Sequence, residues 1–184
     1  MRFILFSLLL TTSIFSSNLS TLYKFYESQK YDKACNYAFK YYYKKKNKRS
    51  EKYLTLYGLS CLETNNLARV ATPMMGLTQS KDARANASYF GAILLQKQLL
   101  MQALIDEKPL GYLELPRTPF VLSTIFSLFL KQKYTKEKNI YHFIDVQDEN
   151  ITYRLYTKKY KKERYYMILD IYKNGKFTKR YQYK

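Results

Sequence analysis

The spacing of apolar residues changes once along this chain, and that change limits the folds it can adopt. From Leu19 to about Ile105 apolar side chains recur every three or four residues, the period of an amphipathic helix. From Ile140 to the end they recur every second residue, the period of a strand with one buried face. The pattern predicts an α+β chain, with its helices first and a small antiparallel meander last.

Five helices are predicted in the first part. Ser50 has the side chain of an N-cap, and Asn65-Asn66 is a suitable helix end. The predicted helices cover residues 20–29, 32–45, 50–63, 67–79 and 82–105.

Prolines separate the two parts of the chain. Three of the four, Pro109, Pro116 and Pro119, lie close together and predict a connector over residues 108–119. The apolar run that follows, residues 120–130, predicts a core helix and is too short to cross a bilayer, which takes roughly 20 residues.

Four strands are predicted in the last part, over residues 140–146, 151–156, 165–171 and 177–181. Asn174-Gly175 is a strong hairpin signal, because a type I′ turn needs positive φ at both central residues. Alternation puts Arg154, Thr178 and Arg180 on one face of the sheet. The opposite, core-facing set is Ile151, Tyr153, Leu155, Tyr165, Met167, Leu169, Ile171, Phe177 and Tyr181.

The N-terminus has the layout of a secretory signal. Arg2 precedes an apolar stretch from Phe3 to Phe15, which is followed by Ser16-Ser17. The sequence therefore predicts a signal peptide over residues 1–17 and a periplasmic or secreted protein, with a membrane anchor or a buried N-terminal helix as alternatives. The predicted organisation is then a helical region over 18–107, the connector over 108–119, and a helix with the sheet over 120–184.

Cys35 and Cys61 are the two cysteines of the chain. An even count in an exported chain favours one disulfide, because disulfides persist in oxidising compartments. Both residues lie within apolar helical patterns, so two reduced cysteines packed in the core are the alternative.

Part of the helical pattern resembles the tetratricopeptide repeat (TPR). Residues 27–34 place a polar break before Tyr31-x-x-Ala34, as at the turn of that repeat, and Tyr57-Gly58 followed by the segment 65–70 matches a second copy. From Tyr31 to Leu67 the offset is 36, near the family period of 34. The resemblance covers residues 18–105. It implies stacked helix pairs whose concave face binds a peptide or another envelope protein, and stacked repeats rarely carry catalysis.

No pattern of catalytic or cofactor-binding residues is present in the sequence. His142 is the one histidine, and Gly-x-Ser-x-Gly, Ser-x-x-Lys and a glycine-rich phosphate loop are absent. Two cysteines and one histidine do not match the ligand spacing of a zinc site. The sequence predicts a non-enzymatic interaction protein without metal or cofactor.

Positive charge is the second functional signal. Lys and Arg number 32 against 14 Asp and Glu, for a net charge of +18. Two groups are interleaved with tyrosines at predicted loops or helix ends: Lys44, Lys45, Lys46, Lys48 and Arg49, and Lys158, Lys159, Lys161 and Lys162. They suggest an alternative function, binding of anionic lipid, glycan or nucleic acid, with nucleic acid the least expected of these. Solvated loops in a lysine-rich chain are the simpler interpretation of both groups.

Overall fold

The computed structural model describes residues 18–162 and 164–184. The predicted signal peptide lies outside these residues. The helices are α1 (Asn18–Glu27), α2 (Tyr31–Tyr41), α3 (Lys45–Lys48), α4 (Glu51–Glu63), α5 (Ala71–Gly76), α6 (Lys81–Ile105) and α7 (Val121–Leu130). The strands are β1 (Thr135–Glu137), β2 (Ile140–Ile144), β3 (Ile151–Lys161), β4 (Arg164–Lys173) and β5 (Lys176–Tyr183). Helices followed by an antiparallel sheet are the predicted α+β order.

Both ends of α4 are formed as the sequence predicts. The Ser50 hydroxyl accepts a hydrogen bond from the Tyr53 N–H at 3.3 Å, so it caps the helix. At the other end Asn65 has a φ of 60°, and the Asn66 N–H donates to the Cys61 carbonyl at 2.7 Å. These bonds satisfy backbone groups that the helix leaves without partners.

Two predicted helices are shorter than expected. The helix predicted over 32–45 ends at Tyr41, where the buried side-chain amide of Asn47 donates to the Tyr41 carbonyl at 2.7 Å. The helix predicted over 67–79 is a 3-10 turn, Leu67–Arg69, followed by the short α5. Pro73 has no N–H and therefore fits the first turn of α5, where that group would have no intrahelical acceptor.

The helical part packs around α4, which contacts α1, α2, α5 and α6. A disulfide joins Cys35 on α2 to Cys61 on α4, with 4.9 Å between the two Cα atoms and both residues buried. Gly58 lets α4 approach α6 closely, because a Cβ at this position would collide with the buried ring of Phe90. α4 is thus the central element of this half.

The sheet has the order β1-β2-β3-β4-β5, with every neighbouring pair antiparallel. The prediction of four strands was wrong, because β1 is a three-residue exposed strand, too short and too polar to show an alternating pattern. The turn that joins β1 to β2 contains Lys138, which has a φ of 54°.

The β3–β4 hairpin is longer than predicted. Lys158, Lys159 and Lys161 belong to β3 and pair with Tyr166, Tyr165 and Arg164 of β4, with a bulge between Lys159 and Lys161. Of the four lysines in this group, Lys162 alone lies in the turn. The prediction that all four lysines lie in a connection between strands was therefore wrong. Backbone pairing between β3 and β4 continues past the last buried side chains, so the end of the apolar alternation does not mark the end of the hairpin.

One face of the sheet packs on the helices: β3 contacts α6, and the ring of Phe129 in α7 lies 5.3 Å from that of Tyr141 in β2. Phe143, Tyr153, Leu155, Met167 and Leu169 are buried in the same apolar cluster as α7 and the core of the helical part. Phe177 does not join them, against the prediction: its side chain is 54% exposed. A bulge between Ile171 and Tyr172 shifts the register of β5, so Phe177 pairs with Tyr172.

Candidate ligand-binding face

The face of the sheet opposite α7 carries basic and aromatic side chains in three adjacent strands. Because successive residues of a strand point to opposite faces, the even-numbered residues of β3 and β4 lie on this side. We call it the basic-aromatic face. Its charged and aromatic members are Arg154, Tyr156, Lys158, Tyr160, Arg164, Tyr166, Asp170, Tyr172, Phe177, Arg180 and Lys184.

Asp170 holds the centre of this face together. It is only 2% exposed, and both of its carboxylate oxygens accept hydrogen bonds from the Arg180 guanidinium, at 2.6 and 2.8 Å. The Tyr156 hydroxyl donates to the same carboxylate at 3.2 Å. The hydrogen bonds to this carboxylate raise the pKa of Arg180 above its usual range. One buried acid therefore ties side chains from β3, β4 and β5 into one network and neutralises one of the cations.

Rings and cations pack together at one end of the face. The guanidinium of Arg154 lies 4.5 Å from the centre of the Tyr172 ring, and Phe177 meets that ring edge-on at 5.8 Å. Arg180 is 5.8 Å from the Phe177 ring. Contacts of this kind hold a cation over an aromatic surface. Arg180 also donates to Asp170, whereas the guanidinium of Arg154 is exposed.

A second ring pair lies at the other end. Tyr160 and Tyr166 are stacked, with 4.1 Å between ring centres and 25° between ring planes. The ammonium group of Lys184 lies 5.6 Å from the Tyr166 ring. Tyr172 follows Tyr166 by six positions in β4, which places the two ring groups about 20 Å apart.

Four cations of the face form no ion pair with any acidic residue that the structure describes. Among residues 18–162 and 164–184, Asp170 pairs with Arg180, and the one other close contact of opposite types is Glu137 with His142, which is an ion pair only if that histidine is protonated. Within the same residues, Arg154, Lys158, Arg164 and Lys184 are exposed and form no ion pair. Their charge is therefore available to a negatively charged partner.

The other predicted basic group lies in the helical part. Lys44 precedes α3, Lys45, Lys46 and Lys48 are within it, and Arg49 follows it; all five are exposed. Lys44 lies 4.7 Å from the ring centre of Tyr41, and Lys48 lies 5.0 Å from that of Tyr43. The structure thus places the two lysine groups on different elements, one beside α2 and one along the β3–β4 hairpin.

The sole histidine is not part of a catalytic arrangement that the structure describes. His142 pairs with Arg154 across β2 and β3, and its Nε2 atom is 3.7 Å from the Glu137 carboxylate, too far for a hydrogen bond. Cys35 and Cys61 are bonded to each other, so neither sulfur is a free thiolate nucleophile. No group of three metal-ligating side chains occurs in the described part of the chain.

An apolar groove of about 770 Å³ lies in the helical part, between α1, α4 and α6. Leu19, Tyr23, Leu56 and Ala83 are among its lining residues, and Tyr23 is 51% exposed. This groove has the apolar lining that binding of a peptide side chain requires.

Sequence reasoning found the lysines of the β3–β4 hairpin but missed the face they belong to. Arg164, Tyr166 and Tyr172 share a face with Arg154 through simple alternation, and that signal was present in the sequence. Phe177 could not be placed in this way, because a bulge changed its side.

Comparisons with protein-family models, with curated proteins and with solved structures found no match to this chain. Among the described residues, no helix is both long and apolar enough to cross a membrane.

Proposed function

We propose that this chain is a non-enzymatic binding protein that associates with an anionic partner through the basic-aromatic face. The observation that carries the proposal is a set of four exposed cations that form no ion pair within residues 18–162 and 164–184, namely Arg154, Lys158, Arg164 and Lys184. Arg154 pairs with Asp170, whose carboxylate Arg180 already neutralises. Lys158 and Arg164 lie on the same two strands, and Lys184 follows β5.

Charge and rigidity both support this function. The net charge of +18 attracts anions over a distance of about one Debye length, roughly 8 Å at physiological salt. Arg154 and Lys184 rest on tyrosine rings, so they lose less conformational freedom on binding than free side chains would.

The function is tested by binding to a soluble polyanion, oligodeoxythymidine, over a series of salt concentrations. We expect affinity to fall as salt rises, because each phosphate contact releases condensed counterions. The variant Arg154→Gln/Lys158→Gln/Lys184→Gln should show a salt slope smaller by about 2, since each contact to a single strand contributes about 0.7.

The matched control is Lys24→Gln/Lys33→Gln/Lys81→Gln, which removes the same charge from exposed positions of the helical part. Its salt slope should stay close to that of the unmodified protein. Equal slopes for all three proteins would show that the basic-aromatic face is not the binding site.

A second candidate function is peptide binding in the groove between α1, α4 and α6. Its apolar lining and the TPR-like sequence pattern of residues 18–105 favour it. Salt separates the two candidates, because burial of an apolar side chain depends far less on ionic strength than charge pairing does. The proposal that the helices of residues 18–105 stack as in a TPR rests on the sequence pattern alone.

Export is proposed together with this function. The signal pattern of residues 1–17 and the Cys35–Cys61 disulfide both suit an oxidising compartment. N-terminal sequencing of protein recovered from cells should show a mature chain that begins after Ser16 or Ser17. An intact Met1 would contradict export.

A further inference from the structure

We infer that the partner of the basic-aromatic face is a membrane surface containing anionic phospholipids. This inference rests on the proposed function and names the partner of the same site.

The first support is the shape of the face. Its charged groups are spread over three neighbouring strands, which are about 5 Å apart, and along about 20 Å of β4. Arg154 lies beside Tyr172 at one end, whereas Lys184 lies beside Tyr166 at the other. A planar array of separated cations matches a plane of separated phosphate groups, whereas a single small anion would need cations that converge on one point.

The second support is that neighbouring side chains already cover the aromatic rings of the face. Tyr160 covers one face of Tyr166, and Lys184 lies near the same ring. Arg154 lies over Tyr172, whose ring also meets the edge of Phe177. Single-stranded nucleic acid gains much of its affinity by stacking bases on open ring faces. Rings already covered in this way offer fewer such surfaces, so the arrangement favours lipid headgroups over bases.

The third support is the chemistry of the exposed rings. Tyrosine is enriched where a membrane meets water, because its ring is apolar and its hydroxyl is polar. Tyr160 is 37% exposed and Phe177 is 54% exposed, so both rings can enter the headgroup layer. Cations beside rings then meet the phosphates at the same depth.

The test measures binding to vesicles of phosphatidylcholine with and without phosphatidylglycerol, at low and moderate salt. We expect binding only where phosphatidylglycerol is present. The Arg154→Gln/Lys158→Gln/Lys184→Gln variant should lose about a hundredfold, because each basic residue near an anionic surface contributes about fivefold. The control Lys24→Gln/Lys33→Gln/Lys81→Gln should lose less than tenfold.

A ring variant separates membrane contact from simple charge attraction. Phe177→Ser keeps every charge and should weaken vesicle binding at least threefold, through the loss of buried apolar surface. Its affinity for oligodeoxythymidine should stay the same if charge alone holds that probe. All variants change exposed side chains, and circular dichroism melts would show that they fold.

Each other outcome has a definite meaning. Binding to oligodeoxythymidine without binding to phosphatidylglycerol vesicles would overturn the membrane inference and leave the proposed function standing. Absence of binding to both would overturn both. Equal losses for the face variant and its control would show that net charge acts without this face and would also overturn the inference.

Discussion

Replacing both Cys35 and Cys61 with alanine is expected to lower the free energy of unfolding by about 3 kcal/mol. In the chain-entropy treatment, a cross-link restricts the unfolded chain by an amount that grows with the loop it closes, here a sequence separation of 26. Both residues are buried between α2 and α4, so the bond also fixes the contact on which the helical part depends.

Urea unfolding of the mature protein, followed by circular dichroism, measures this effect. The double variant and the reduced unmodified protein should unfold at similar, lower urea concentrations. Addition of reductant should leave the midpoint of the double variant where it was. If the oxidised protein and the double variant unfold at the same concentration, the disulfide does not stabilise the fold.

Replacing Arg180 with methionine is expected to cost about 2 kcal/mol. The change leaves the Asp170 carboxylate buried with one remaining hydrogen-bond donor, Tyr156, and an under-satisfied buried charge is expensive. The removed side chain itself is about half exposed, so little of the loss comes from its own burial.

Lys179→Met is the matched control, because it removes an exposed charge from the neighbouring position of β5. It should change stability by less than about 0.5 kcal/mol. The double variant Asp170→Asn/Arg180→Met should be more stable than Arg180→Met, since the buried group no longer carries a charge. If Arg180→Met proves as mild as Lys179→Met, water solvates Asp170 well enough and the pair is not the centre of the face.

The α+β order and most helix ends could be predicted because they depend on local signals. Ser50 and Asn65 act on backbone groups within a few residues, so their roles are visible in the sequence. The end of α2 was missed because it depends on the side-chain amide of Asn47, six residues beyond the Tyr41 carbonyl that it contacts.

The candidate site was predicted only in part, because it is assembled by pairing between strands. Lysines 158, 159, 161 and 162 were noticed as a group of charges, but alternation and register decide which side chains share a face. The network of Asp170, Arg180 and Tyr156 joins three strands, and no single segment reveals it. Phe177 was predicted on the wrong face, because the bulge shifts the pairing of β4 with β5 and simple alternation no longer gives the side of the sheet.

The end of the β3–β4 hairpin extends beyond its neighbours in the sheet. Pairing with β2 ends at Leu155 and pairing with β5 ends at Met167, so the last residues of the hairpin pair only with each other. A two-stranded ribbon resists twisting less than a wider sheet does. The cations and rings at this tip can therefore adjust their angle to a curved or uneven partner while Asp170 keeps the rest of the face fixed.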